Sequence, residues 1–134
     1  MHEWLGQFKQ LLRKEIEALP RAMAQDEVIR NKIICLLARE LEARGLIAVP
    51  AWKPPRSTRG RVDLVAVKPE TDPPELAAAF GVEALVELEK VKAMEWVEAE
   101  LKVVVTFSRN AEKVRASRFF LTEGLVHLDI FGPD

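Results

Sequence analysis

Acidic side chains beside apolar residues are the groups in this sequence best suited to chemistry. Asp63 is the one charged residue in the apolar run 62–67, and Glu87 and Glu89 follow in a second apolar segment. Burying a carboxylate is costly unless it is paired, protonated or bound to a cation. Carboxylates that converge repel one another, and their oxygens are good ligands for Mg²⁺ or Mn²⁺. The acids therefore predict a divalent-metal site, for which Glu27 on an earlier helical segment is a further candidate.

Other catalytic chemistries find little support in the residue types present. The sequence has one cysteine, Cys35, two histidines and no tyrosine. These counts exclude an intrachain disulfide, a cysteine zinc cluster and a histidine-rich metal cage. No serine lies in a GxSxG motif, and neither GxGxxG nor GxxxxGK[ST] occurs. Carboxylates, lysines and arginines remain as the groups that could carry a function.

The composition fits one folded domain that contains all of these residues. The chain has 134 residues, of which 49% are hydrophobic and 31% charged, and its net charge is -1. This length gives room for one hydrophobic core. A net charge near zero restricts any nucleic-acid surface to a local patch. The first residues contain no long apolar stretch, so we expect no signal peptide and no membrane anchor, and a cytoplasmic location.

The acids lie on a predicted alternation of helices and strands. Apolar spacings of three and four predict helices, whereas alternating or β-branched runs predict strands. The predicted elements are, in chain order, helices at 3–19 and 26–44, strands at 46–49, 61–68 and 82–89, a helix after residue 90, a strand at 102–107, a short helix or turn at 110–116, and a hairpin of 118–122 with 125–131. On the strand 82–89, Glu83, Glu87 and Glu89 share one face.

Residues 83–101 allow a second interpretation, which is a single long helix. They are rich in Glu, Ala, Leu and Lys, all of which are compatible with a helix. Gly81 and the regular alternation after it favour a strand followed by a helix. A single helix would remove a central strand and would imply an unrelated α/β fold.

The order of these residues and elements resembles the PD-(D/E)xK nuclease superfamily, which has the restriction-endonuclease-like fold. The resemblance rests on Arg61-Val62-Asp63, on Glu87-Leu88-Glu89, and on the helix and the strand 103–107 that follow. It covers residues 26–131 and leaves residues 1–20 as an extra N-terminal helix of a single domain. The resemblance implies a three-layer α/β domain, in which helices flank a mixed central sheet.

The resemblance also implies a catalytic site. In this family an acid on the first core strand and the acid that opens the D/E-x-K motif hold the metal, and these positions match Asp63 and Glu87. Glu89 stands where the family usually has lysine, although some members carry Glu there, and it would orient the attacking water or hold a second metal. Glu27 would complete the ligand set. The implied function is a Mg²⁺- or Mn²⁺-dependent nuclease, or a nuclease-like DNA-processing protein, that hydrolyses phosphodiester bonds.

Two basic clusters flank these acids in the sequence and suit contacts with DNA phosphates. Their members are Lys53, Arg56, Arg59 and Arg61 in the first cluster, and Arg109, Lys113, Arg115 and Arg118 in the second. Their alternative role is to balance the charge of the acid-rich segment 70–100. Cutting both strands of a duplex would require a homodimer, for which the first helix, with Trp4, is the candidate interface.

A purely structural role is open for each acidic group. Glu87 and Glu89 fit the solvated face of a strand, and Glu27 fits the acidic first turn of a helix. Asp63 fits an ion pair with Arg61 or another arginine. The alternative function is therefore a non-catalytic interaction or assembly protein that keeps the nuclease-like fold.

Overall fold

A five-stranded mixed sheet forms the centre of the computed structural model, which describes residues 3–55 and 60–133. The strands are β1 (Ile47–Trp52), β2 (Val62–Val67), β3 (Leu76–Glu83), β4 (Ala99–Thr106) and β5 (Leu125–Asp129). The helices are α1 (Glu3–Glu17), α2 (Asp26–Ala43), α3 (Leu88–Met94) and α4 (Ala111–Ser117), with short 3₁₀ turns at Arg21–Met23 and Arg118–Phe120.

The strands lie in the sheet in their chain order. β1, β2 and β3 form an antiparallel meander, whereas β4 runs parallel to β3 and β5 runs parallel to β4. Parallel neighbours need a crossover connection, which α3 supplies between β3 and β4 and α4 supplies between β4 and β5. The architecture is α/β, as the sequence predicts.

The two faces of the sheet carry separate apolar clusters. On one face α2 buries Ile33 and Leu37 against a cluster that includes Leu64 and Phe80 of the sheet. α1 extends this cluster, and its Arg13 Nε donates to the carbonyl of Ile130 over 2.8 Å. On the other face the seven-residue α3 packs its Val91 and Met94 on Val65 and Val104. Helices therefore lie on both faces of the sheet, which is compatible with a three-layer domain.

Trp4 on α1 makes contacts within the chain. Its ring lies 6.2 Å from that of Phe8, and the Arg44 guanidinium sits over it at 4.6 Å from the ring centroid. A cation on an aromatic face is a stabilising arrangement. The role of the Trp4 helix as a dimer interface stays a prediction.

The predicted strand at 82–89 is wrong in position. β3 ends at Glu83, so most of it lies before the predicted strand. Its buried residues include Ala78, Phe80 and Val82. The apparent alternation after Gly81 comes from a loop and a helix start, since the Val86 amide donates to Ser117 Oγ over 3.1 Å instead of pairing with a strand. The single-helix interpretation of 83–101 is also wrong, because α3 spans seven residues between two strands.

The predicted C-terminal hairpin is wrong as well. Residues 118–120 form a 3₁₀ turn, and β5 pairs with β4 in parallel. Of the two possibilities for 110–116, a short helix or a turn, the structure has the helix, α4. This helix carries the chain across the sheet, so that the last strand runs in the same direction as β4. Within the described ranges, no helix combines the length and the apolar character needed to cross a membrane.

Candidate functional site

Asp63 lies on β2 with its side chain 3% exposed, and every oxygen of its carboxylate accepts a hydrogen bond. Oδ2 accepts from the backbone N–H of Val82 over 2.7 Å. Oδ1 accepts from Lys90 Nζ over 2.8 Å and from Arg30 Nη2. The predicted ion pair of Asp63 with an arginine is thus present, and the partner is Arg30 on α2 instead of Arg61.

A second carboxylate shares both of these cations. Glu83 Oε1 lies 3.3 Å from Lys90 Nζ and 3.3 Å from Arg30 Nε. Arg30 Nε also donates to the carbonyl of Val82 over 3.2 Å. Arg30, Asp63, Glu83 and Lys90 together form what we call the Asp63 network.

Four elements meet at the Asp63 network, and each contributes one side chain. Arg30 comes from the first turns of α2, Asp63 from β2, Glu83 from the last position of β3, and Lys90 from the third position of α3. α3 packs closely on Gly81, where an added Cβ would be in van der Waals contact, 3.4 Å from Met94 Cε and 3.5 Å from Lys90 Cβ. A larger side chain there would push Lys90 away from the carboxylates.

A cavity of about 410 Å³ opens beside the Asp63 network. Three cations line it, Arg30, Arg61 and Lys90, and Asp63 is its one acidic lining residue among the described positions. Arg61 Nη1 donates to the carbonyl of Ala51 over 3.2 Å, which holds the guanidinium at the rim. An excess of positive charge in a cavity favours an anionic ligand, and guanidinium groups suit phosphate.

Glu87 and Glu89 do not project from a strand, contrary to the prediction. Glu87 is the N-cap residue of α3 and Glu89 lies in its first turn, and both residues are exposed. Although Glu87 is exposed overall, partial desolvation raises the pKa of its carboxyl, and the negative charges of Glu83 and Asp63 raise it further. Glu87 therefore lies close enough to the Asp63 network to be electrostatically coupled to it.

The other predicted site residues lie away from the network or outside the described positions. Glu27 is exposed in the first turn of α2, and no hydrogen bond or ion pair joins it to Asp63 within the described chain. Lys53 is exposed after β1, Lys113 is exposed on α4, and the guanidinium of Arg109 lies 4.3 Å from the ring centroid of Phe131. Arg56 and Arg59 lie outside the described residues.

The predicted gathering of three or more acids around one point is not seen. Among the residues that the structure describes, no group of three His, Cys, Asp or Glu side chains could hold a metal ion together. The acid beside Asp63 is Glu83, which the sequence places on the same face as Glu87 but which the predicted site omits. Sequence reasoning also misses Arg30 and Lys90, because they meet Asp63 only through tertiary contacts.

Comparisons with known proteins add no relative. No protein-family model matches the chain, and neither a curated protein nor a solved structure matches it. The geometry of the Asp63 network and of the cavity beside it is therefore the basis for inferring a function.

Replacing Asp63 by asparagine should destabilise the protein by about 3 kcal/mol, because Arg30 and Lys90 lose a buried counter-charge. Urea unfolding in metal-free buffer measures this change. Glu98→Gln, which removes an exposed acid outside the network, is the matched control and should lie within about 0.5 kcal/mol of the wild type. Equal stability of Asp63→Asn and the control would show that the network contributes nothing to the fold.

Replacing Glu87 by glutamine should stabilise the protein at neutral pH and have little effect at low pH. The folded-state pKa of Glu87 lies above its unfolded value, so the ionised carboxylate weakens the fold as the pH rises through that window. Thermal unfolding of both proteins at about pH 4 and pH 7 measures the difference. A gain in melting temperature that is the same at both pH values would contradict this origin.

Proposed function

We propose that this protein is a metal-dependent nuclease with a restriction-endonuclease-like fold, whose metal ligands are Asp63 and Glu83 and whose lysine is Lys90. The observation that carries the proposal is the position of Lys90 Nζ, which lies 2.8 Å from Asp63 Oδ1 and 3.3 Å from Glu83 Oε1. Two carboxylates on neighbouring strands thus face a single cationic atom. This is the set of groups that the PD-(D/E)xK resemblance calls for, with different residues from those that the sequence motif suggests.

In this proposal Glu83 replaces Glu87 as the second acid of the motif. The resemblance implies an acid on one central strand, a second acid on the next strand, and a lysine two residues later. Asp63 on β2 and Glu83 at the end of β3 supply the two acids, while Leu85 occupies the lysine position and is half-buried. Lys90 of α3 brings an ammonium group to the two carboxylates from another element.

Asp63 and Glu83 would be the ligands of the divalent cation. The Asp63 and Glu83 oxygens already converge on the positive charge of Lys90, and a metal ion would compete with the ammonium for these oxygens. Two carboxylates suffice for Mg²⁺, which usually keeps several of its waters. The charge of Glu87 interacts electrostatically with the charges of Glu83 and Asp63. When bound, Mg²⁺ or Mn²⁺ would polarise the scissile phosphate and lower the pKa of an attacking water.

The side chains of this chain supply the remaining functions. Arg30 and Arg61 line the cavity and would bind the phosphate oxygens of DNA. Lys90, displaced from between the acids, would hold the attacking water by hydrogen bonding. The Val82 amide donates to Oδ2 of Asp63, whereas both cations bind Oδ1.

Replacing Lys90 by glutamine should separate metal binding from catalysis. Because the ammonium competes with the metal, Lys90→Gln should bind Mn²⁺ more tightly than the wild type does. Cleavage of DNA should nevertheless fall by at least about 10²-fold, since a group that positions the water is lost. Thermal shift titrations with Mn²⁺ measure the affinity, and at 100 times Kd the stabilisation should be about 2.7 kcal/mol.

The matched variants locate the ligands. Glu83→Gln should abolish the stabilisation by Mn²⁺, Glu87→Gln should weaken it, and Glu89→Gln should leave it unchanged. If Mn²⁺ stabilises none of the proteins and no DNA is cleaved, the nuclease proposal is wrong. If Glu87→Gln removes the effect of Mn²⁺ and Glu83→Gln leaves it unchanged, the ligands are those of the sequence motif and the assignment of Glu83 fails.

A non-catalytic assembly protein with the same fold is the second candidate. It is favoured by the complete pairing of Asp63, whose carboxylate is satisfied by Arg30, Lys90 and the Val82 amide without any metal. In that role the Asp63 network ties four elements together and has no chemistry of its own. Stability that is insensitive to Mn²⁺, combined with the absence of DNA cleavage, is the result that selects this candidate.

Contacts of the cavity with DNA phosphates should make binding dependent on salt. In EDTA, which prevents cleavage, Arg61→Ala should reduce the slope of log K against log salt by about one unit. Arg39→Ala, which removes an exposed cation of α2 outside the cavity, is the control and should keep the wild-type slope. Equal slopes for all three proteins would show that Arg61 makes no phosphate contact.

A further inference from the structure

A large apolar groove lies on the face of the sheet opposite α2, over β1, β2 and the starts of β3 and β4. It has a volume of about 1440 Å³, and its apolar lining includes Ile47, Val49, Val65 and Leu76. These strand residues alternate with Ala48, Leu64 and Ala66, which face α2. No described residue lines both this groove and the cavity beside Asp63.

The groove exists because the two faces of the sheet are covered unequally. The 18-residue α2 lies across β1, β2 and β3 on the first face. On the second face the seven-residue α3 packs on β2, β3 and β4. Large apolar side chains consequently remain in water at the groove, where Ile47 is 51% exposed and Trp96 is 70% exposed.

The charge around the groove has the opposite sign to that of the cavity beside Asp63. Four acids line it, Asp72, Glu75, Glu98 and Glu100, with Lys102 as the lining base among the described residues. Lys68 forms ion pairs with Glu75 and Glu100, which still leaves an excess of acids. The Lys102 ammonium donates to the carbonyl of Met94 over 3.1 Å. This excess of negative charge disfavours nucleic acid and favours a cationic partner.

The shape of the groove favours a helix. Its volume exceeds the roughly 300–1,000 Å³ of small-molecule sites. Sheets of this architecture are covered by helices, and the apolar face of an amphipathic helix fits such a surface. We propose that the groove binds a basic amphipathic helix of a partner protein, with Trp96 and Ile47 against its apolar face and Glu98 beside its lysines.

Synthetic helices of matched design test the proposal. The probe is a dye-labelled amphipathic peptide of Leu and Lys, as long as the 18-residue α2. The control peptide has Glu at every Lys position. Fluorescence anisotropy with the full chain should give a micromolar Kd for the Leu/Lys peptide and no saturable binding for the Leu/Glu peptide.

Groove variants assign the binding to this surface. Trp96→Ala should weaken binding about tenfold or more, as expected for a tryptophan at the centre of an interface. Glu98→Lys should weaken binding of the Leu/Lys peptide and strengthen binding of the Leu/Glu peptide. Phe119→Ala, which removes an aromatic ring that is 86% exposed outside the groove, is the control and should bind as the wild type does.

Three results would overturn the proposal. Equal binding of the two peptides would show that the charge of the groove selects nothing. Binding that Trp96→Ala and Glu98→Lys leave unchanged would place the peptide elsewhere. A dimer in sedimentation that dissociates on Ile47→Lys would assign the groove to a second copy of this chain. None of these measurements uses metal or cleavage, so they stand apart from the nuclease proposal.

Discussion

The compensation of one buried carboxylate is the constraint on which the arrangement of the neighbouring elements depends. Asp63 is 3% exposed, and an unpaired charge at that depth would cost several kcal/mol. Its partners come from three other elements: Arg30 from α2, the Val82 amide from β3 and Lys90 from α3. The contacts that compensate the charge of Asp63 therefore also fix the end of β3 and the start of α3 relative to β2.

Two cations are more than the single charge of Asp63 requires, and the second one is balanced by Glu83. Arg30 and Lys90 both reach Glu83 as well, at 3.3 Å each, so the network is balanced without a further ion. A balanced network is stable as it stands, yet it also keeps the carboxylates of Asp63 and Glu83 facing Lys90, beside a cavity that is lined by an excess of cations. The nuclease and the assembly hypotheses differ in whether a metal ion can displace Lys90, which depends on the relative affinities of the two cations for the same oxygens.

The sequence was informative where the signal was local. Asp63 stands out in the sequence as a charge within the apolar run 62–67, and the structure shows that it is buried on β2 and paired. Glu83, Arg30 and Lys90 become a site only through tertiary contacts, and no spacing in the sequence relates residues 30, 63 and 90. The position of β3 was missed because the Ala-rich residues 77–79 give a weak strand signal, whereas the loop and helix after Gly81 happen to alternate.

The near-zero net charge concealed a separation of charge between two surfaces. Among the residues that the structure describes, three cations and one acid line the cavity beside Asp63, whereas four acids and one lysine line the groove. The positive charge of the cavity and the negative charge of the groove largely cancel in the sum over the chain, so the net charge of -1 gives no indication of either surface. A phosphate backbone would be attracted to the first surface and repelled by the second. The same chain can therefore present one surface to an anion and another to a cationic partner, and no described residue lines both surfaces.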